Sequence, residues 1–108
     1  MCALSVVEKF FNAWRSTGKV EWKFFSNDFV FVGPSAKVNA EAWLRNSDEE
    51  LPMEDIVVNE TISMGDSVVL LFEGVDPIAL LKYRTAWFFM VKEGKIFRIT
   101  EVRQIIQA

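Results

Sequence analysis

Histidine is absent from the 108 residues, and cysteine occurs once. Without histidine the chain lacks the commonest general base at neutral pH and the commonest metal ligand. With Cys2 alone, a zinc site or a Ser-His or Cys-His nucleophile has no residues to build on, so the expectation is a protein without metal or organic cofactor. A single cysteine forms no internal disulfide, the pattern of a reducing compartment, and the chain reads as cytoplasmic. Basic blocks are missing as well. Twelve Lys and Arg are interspersed with 15 Asp and Glu for a net charge of −3, which excludes the footprint of a nucleic-acid binder. The longest apolar runs, Val68-Val69-Leu70-Leu71-Phe72 and Ala86-Trp87-Phe88-Phe89-Met90-Val91, are too short to span a bilayer. The opening Met1-Cys2-Ala3-Leu4-Ser5 has no basic stretch and leads straight into an amphipathic pattern, so no signal peptide is expected.

What the chain has in abundance is aromatic bulk. Ten Phe and four Trp must be buried in a core, a ligand pocket or a partner. The length suits one core, and residues 1–108 read as a single domain without linker or repeat.

Leu4, Val7, Phe11 and Trp14 recur at spacings of three and four, widened by Val6, Phe10 and Ala13, which predicts an amphipathic helix ended by Thr17-Gly18. A short second helix is expected over Lys19 to Ser26, then a strand from Asp28 to Val32 closed by Gly33-Pro34-Ser35. Asn39 is positioned to cap a third helix reaching Asp48 and anchored by Trp43 and Leu44; the acidic Asp48-Glu49-Glu50 and Pro52 follow it. From Asp55 onward the pattern is β. One hairpin turns at Gly65-Asp66, and a longer one, Leu80 to about Ile106, turns at Glu93-Gly94. The class is α+β, with N-terminal helices packed on a strongly curved antiparallel sheet.

Three phrases in this order carry a resemblance: Phe10-Phe11-Asn12-Ala13-Trp14-Arg15-Ser16-Thr17-Gly18, Phe25-Ser26-Asn27-Asp28-Phe29-Val30-Phe31-Val32-Gly33-Pro34, and Phe89-Met90-Val91-Lys92-Glu93-Gly94-Lys95-Ile96-Phe97-Arg98-Ile99. Over nearly its whole length the chain resembles the nuclear transport factor 2-like superfamily, in particular its SnoaL-like branch. That resemblance implies a cone-shaped, cystatin-like fold with a cavity between helices and concave sheet, often in a homodimer. It carries no activity across, because the superfamily holds isomerases, dehydratases, epoxide hydrolases, cyclases and plain binding modules. The ketosteroid isomerase branch has an Asp where this chain has Gly33, a tyrosine where it has Phe11, and a second acid near Phe88. Scytalone dehydratases and SnoaL-like cyclases rely on histidine. The Asp-Arg-Asp set of limonene epoxide hydrolases has at best a partial echo here.

Counting outward from Glu93-Gly94 puts Met90 opposite Phe97, Phe88 opposite Ile99, Ala86 opposite Glu101 and Arg84 opposite Arg103. With this face concave, Met90, Phe88, Phe97 and Ile99 floor a cavity, helped by Phe11 and Trp14 from the first helix. Glu101 is then a candidate acid or base, with Arg84 and Arg103 as ligand-binding partners. Glu60, between Val58 and Ile62, is a second candidate on the same parity. The same charges equally suit an exposed ion cluster at a sheet end, and a bulge turns Glu60 to solvent. The opposite face, with Tyr83, Thr85, Trp87, Phe89, Arg98 and Thr100, stays apolar through its middle and is the expected homodimer surface. Two readings follow. One is a small-organic-molecule pocket supporting a cofactor-independent isomerase-, cyclase- or hydrolase-like step; the other is a non-catalytic ligand-binding or protein-interaction module.

Overall fold

The structure, a computed structural model, describes residues 2–17, 21–33, 37–39, 56–75 and 81–107. The third helix expected from Asn39 to Asp48 lies outside them, except that Asn39 ends a short strand. The first helix, α1 (Ala3–Thr17), follows the expected stripe and buries Ala3, Val6, Val7, Phe10, Phe11 and Trp14. Its last turn is closed by hydroxyls: Ser16 donates to the Asn12 carbonyl and Thr17 to that of Ala13, both at 2.8 Å. Of the second helix expected over Lys19 to Ser26, the described residues show one 3-10 turn, Trp22–Phe24. Phe25 instead starts a strand and pairs with Ile96, because its ring is buried against Phe10 and Phe29 at 5.2 and 4.7 Å.

The strands are β1 (Phe25–Val32), β2 (Lys37–Asn39), β3 (Val57–Met64), β4 (Ser67–Val75), β5 (Lys82–Lys92) and β6 (Lys95–Gln107). They form one sheet in the order β2-β1-β6-β5-β4-β3. The α+β class stands, with one correction: β1 runs parallel to β6, so the sheet is mixed rather than wholly antiparallel. Both expected hairpins form, and Glu93 (φ 54°) and Gly94 (φ 76°) make the tight turn between the longest strands.

Bulges decide the faces. Val91 pairs with Ile96 but Met90 pairs with Arg98, so Phe97 is an extra residue in β6. From there to Tyr83 every pairing is one residue away from the simple count: Phe89 faces Ile99, Trp87 faces Glu101 and Thr85 faces Arg103. The bulge lets Ile96 and Ile99, three apart, both bury completely on the face under α1 while Arg98 stays in solvent. In β3, Asn59 is the extra residue between the Val58–Phe72 and Glu60–Leu71 pairs. The inner face therefore consists of rows across four strands: Ser63–Val68–Phe89–Ile99, Thr61–Leu70–Trp87–Glu101 and Val58–Phe72–Thr85–Arg103.

This register corrects the expected dimer surface. Tyr83, Thr85, Trp87 and Phe89 are buried in the core beneath α1, while Arg98 and Thr100 lie on the other face. Much of the aromatic excess lies here, although Trp22 and Phe88 are exposed. Phe10 sits at the centre, within 6.0 Å of Trp14, Phe24, Phe25 and Phe89. Trp87 meets Phe72 edge-on at 5.2 Å and Phe31 at 5.9 Å.

Candidate ligand site

Along β5 and β6 the inner face is apolar except at one end, where the two strands bring polar groups together. Trp87, fixed by a parallel stack on Trp14 (centroids 5.6 Å apart, 9° between planes), donates its indole N–H to Glu101 Oε1 at 3.0 Å. Arg103 donates to the same oxygen, also at 3.0 Å. Glu101 Oε2 has no hydrogen-bond partner among the described residues, and its side chain is 10% exposed. The Arg103 guanidinium lies over the Tyr83 ring at 4.6 Å. Tyr83 in turn packs on Gly74, where an added Cβ would come within 2.8 Å of the phenol oxygen. Thr85, between Tyr83 and Trp87, is fully buried and its Oγ1 has no hydrogen-bond partner among the described residues.

Such a carboxylate is pre-oriented. Two donors on one oxygen hold the plane of the group. The other oxygen keeps its acceptor capacity for a ligand N–H or O–H. Among the described residues no three Cys, Asp or Glu side chains converge as a metal would require, and no helix is long and apolar enough to cross a membrane.

The expected site residues divide between the two faces. Glu101, Arg103 and Ile99 lie on the inner face with Phe11 and Trp14. Arg84, Phe88, Met90 and Glu60 do not join them. Arg84 is on the outer face, gripping Glu73 Oε1 through Nε at 3.2 Å and a terminal nitrogen at 2.8 Å. Phe88 is 42% exposed there, beside Met90 and Val69 in the register. Glu60 is exposed on the same outer side, opposite Leu71, as the Asn59 bulge dictates. Phe97, the bulge residue, is half-buried and lines a surface cleft with Ser26, Asp28 and Lys92. Phe11 lines a groove of about 390 Å³ between α1 and β3–β4, with Leu4, Val58, Thr61 and Leu70. Its Thr61 and Leu70 belong to the row that ends at Glu101, but Trp87 and Glu101 do not line it.

Trp87, Tyr83 and Thr85 were missed as companions of Glu101. One signal for them is in the sequence: Tyr83, Thr85, Trp87, Phe89 and Val91 form the bulkier parity of β5, whereas the other parity begins with Lys82 and Arg84.

No protein-family model and no curated protein sequence matches the chain. Solved structures match it over nearly its whole length. An NTF2-like protein of unknown function from Cytophaga hutchinsonii superposes with a TM-score of 0.75 at 14% identity, covering 96% of this chain and 91% of that one. An NTF2-like protein from Anabaena variabilis gives 0.70 at 22% identity, with 94% and 89% covered. AclR of Streptomyces galilaeus, a candidate hydroxylase, gives 0.72 at 16% identity, with 94% and 74% covered. Likeness at these identities speaks for architecture alone. The chain has the nuclear transport factor 2-like fold.

Proposed function

We propose that this protein binds a small organic molecule at the Glu101 end of its concave face. The single observation that carries the proposal is the divided role of the Glu101 carboxylate, with Oε1 held by Trp87 and Arg103 and Oε2 unpartnered among the described residues. The open oxygen is accessible from solvent and already oriented by the donors on its partner oxygen, so it is free to accept from a ligand donor. The ligand class is a largely apolar molecule carrying one N–H or O–H group, or an acidic C–H, placed against the oxygen. In the last case Glu101 is a general base, and the chemistry is a cofactor-independent proton transfer of the isomerase, cyclase or hydrolase kind. Without an acidic C–H in the ligand the same geometry gives a binding module.

The protein is further proposed to pair with a second copy through the outer face of the sheet. Support comes from two adjacent rows, Ile62–Val69–Phe88–Thr100 and Glu60–Leu71–Ala86–Val102, in which Ile62, Phe88 and Val102 are 53%, 42% and 58% exposed.

A thermal-shift screen against a metabolite panel, run beside light scattering, tests both statements. A ligand at about 100 times its dissociation constant adds about 2.7 kcal/mol of stability. The expected result is a hit that Glu101→Gln weakens, in a protein of dimer mass that Phe88→Asp converts to a monomer. Hits indifferent to Glu101→Gln overturn the first statement, and a monomeric mass overturns the second.

A further inference from the structure

A second concavity lies on the other flank of α1, away from the Phe11 groove and from Glu101. It encloses about 610 Å³ between α1, the 3-10 turn and the β5–β6 turn. Val6, Ala13 and Phe24 give it apolar walls, and Lys9, Lys23 and Lys95 stand around it. No carboxylate lines it among the described residues, in a chain whose acids outnumber its bases by 15 to 12.

The two lysines on the strand side are held together. Lys95 Nζ donates to the Lys23 backbone carbonyl, which fixes one ammonium beside the other residue. Lys23 Nζ pairs with Glu21 at 3.2 Å and lies 5.2 Å from the Phe24 ring centroid. An ammonium has three donors, so one bond each leaves both groups able to reach a ligand. Three ammonium groups around one groove, with Glu21 beside Lys23, leave an excess of positive charge that attracts anions locally even though the whole chain is negative.

We propose that this groove binds a small amphiphilic anion, one acidic headgroup on an apolar body, with the headgroup at Lys23 and Lys95 and the body against Val6, Ala13 and Phe24. The volume falls within the usual range for small-molecule sites. Carboxylate and phosphate monoester headgroups share this chemistry. The site is independent of Glu101, and neither proposal needs the other.

The test uses octanoate, octyl phosphate and octanol, each titrated into isotopically labelled protein and followed by amide chemical shifts. Both anions, or one of them, are expected to move the amides of Ala13, Lys23, Gly94 and Lys95, with octanol binding at least about tenfold more weakly. Preference between the two anions names the headgroup. Binding should weaken as salt rises, because the groove is open to solvent. The double variant Lys23→Gln, Lys95→Gln, its fold verified by unchanged shifts elsewhere, should lose about tenfold in affinity. Octanol binding as tightly as the anions overturns the proposal, as does undiminished binding by the double variant or the absence of shifts around the groove.

Discussion

The indole of Trp87 serves Glu101 in two ways at once: its N–H holds Oε1 at 3.0 Å, while its ring is clamped flat against Trp14. The carboxylate is thus oriented through β5 by the first helix. Trp87→Phe removes the donor and part of the ring, and should cost about 1–3 kcal/mol in chemical denaturation. Glu101→Gln keeps an acceptor oxygen and loses only the ion pair with the part-exposed Arg103, so about 1 kcal/mol or less is expected. The reverse order would mean that the charge, not the indole, organises this corner.

The face assignment of β5 has a direct test in neighbouring phenylalanines. Phe89 is fully buried and packs on Phe10, whereas Phe88 is 42% exposed on the opposite side. Phe89→Ala should cost about 3–5 kcal/mol. Phe88→Ala should leave monomer stability within about 1 kcal/mol, since surface truncations change little. Equal costs would contradict the bulged register.

How far the fold can be read from the residues follows from the same strands. The stripe from Leu4 to Trp14 marks α1 because one helical face is consistently apolar, and the paired Gly turns mark both hairpins. The faces cannot be counted from those turns. A bulge at Asn59 or Phe97 inverts the parity beyond it, and neither residue is a glycine that would advertise one. Only Ile96 and Ile99, apolar on both sides of the charged Arg98, hint at the insertion. Glu101 and Arg103 were legible together because both follow the Phe97 bulge on one strand and keep the same parity. Trp87 was not, because the count without the bulge pairs it with Thr100 and puts it on the opposite face. The parallel β1–β6 pairing joins distant segments and leaves no local trace.

Gly74 is needed for space rather than for backbone freedom. A Cβ there would meet the Tyr83 hydroxyl at 2.8 Å and the ring carbon bearing it at 3.0 Å. Gly74→Ala should cost about 1–3 kcal/mol as overpacking. The cost should be smaller in a Tyr83→Phe background, where the closest atom is gone, and a double-mutant cycle reads the coupling. Strict additivity would refute the contact.

Acid stability should depend on Glu73. Hydrogen bonding from Arg84, with added attraction from Lys82, holds its carboxyl below the ordinary 4.5. A carboxyl with a depressed folded pKa stabilises the fold fully above its unfolded value, and the contribution disappears as pH falls through the folded one. Asp28, lowered from 3.8 mainly by the Ser26 hydroxyl at 2.6 Å, acts in the same direction. Glu73→Gln should therefore flatten the loss of melting temperature below about pH 4.5 and change little of the slope near neutrality. An unchanged acid slope would show that Glu73 gains nothing from its partners.

The most direct test of the Glu101 site is the indole N–H resonance of Trp87, assigned by comparison with Trp87→Phe and followed while fragments bearing one donor on an apolar body are titrated in. The account predicts fragments that shift this resonance at saturable concentrations, and predicts that Glu101→Gln abolishes the shift while the remaining spectrum stays native. Fragments that bind elsewhere and leave the Trp87 resonance still, or shift it equally in Glu101→Gln, would contradict a ligand site at the open oxygen of Glu101.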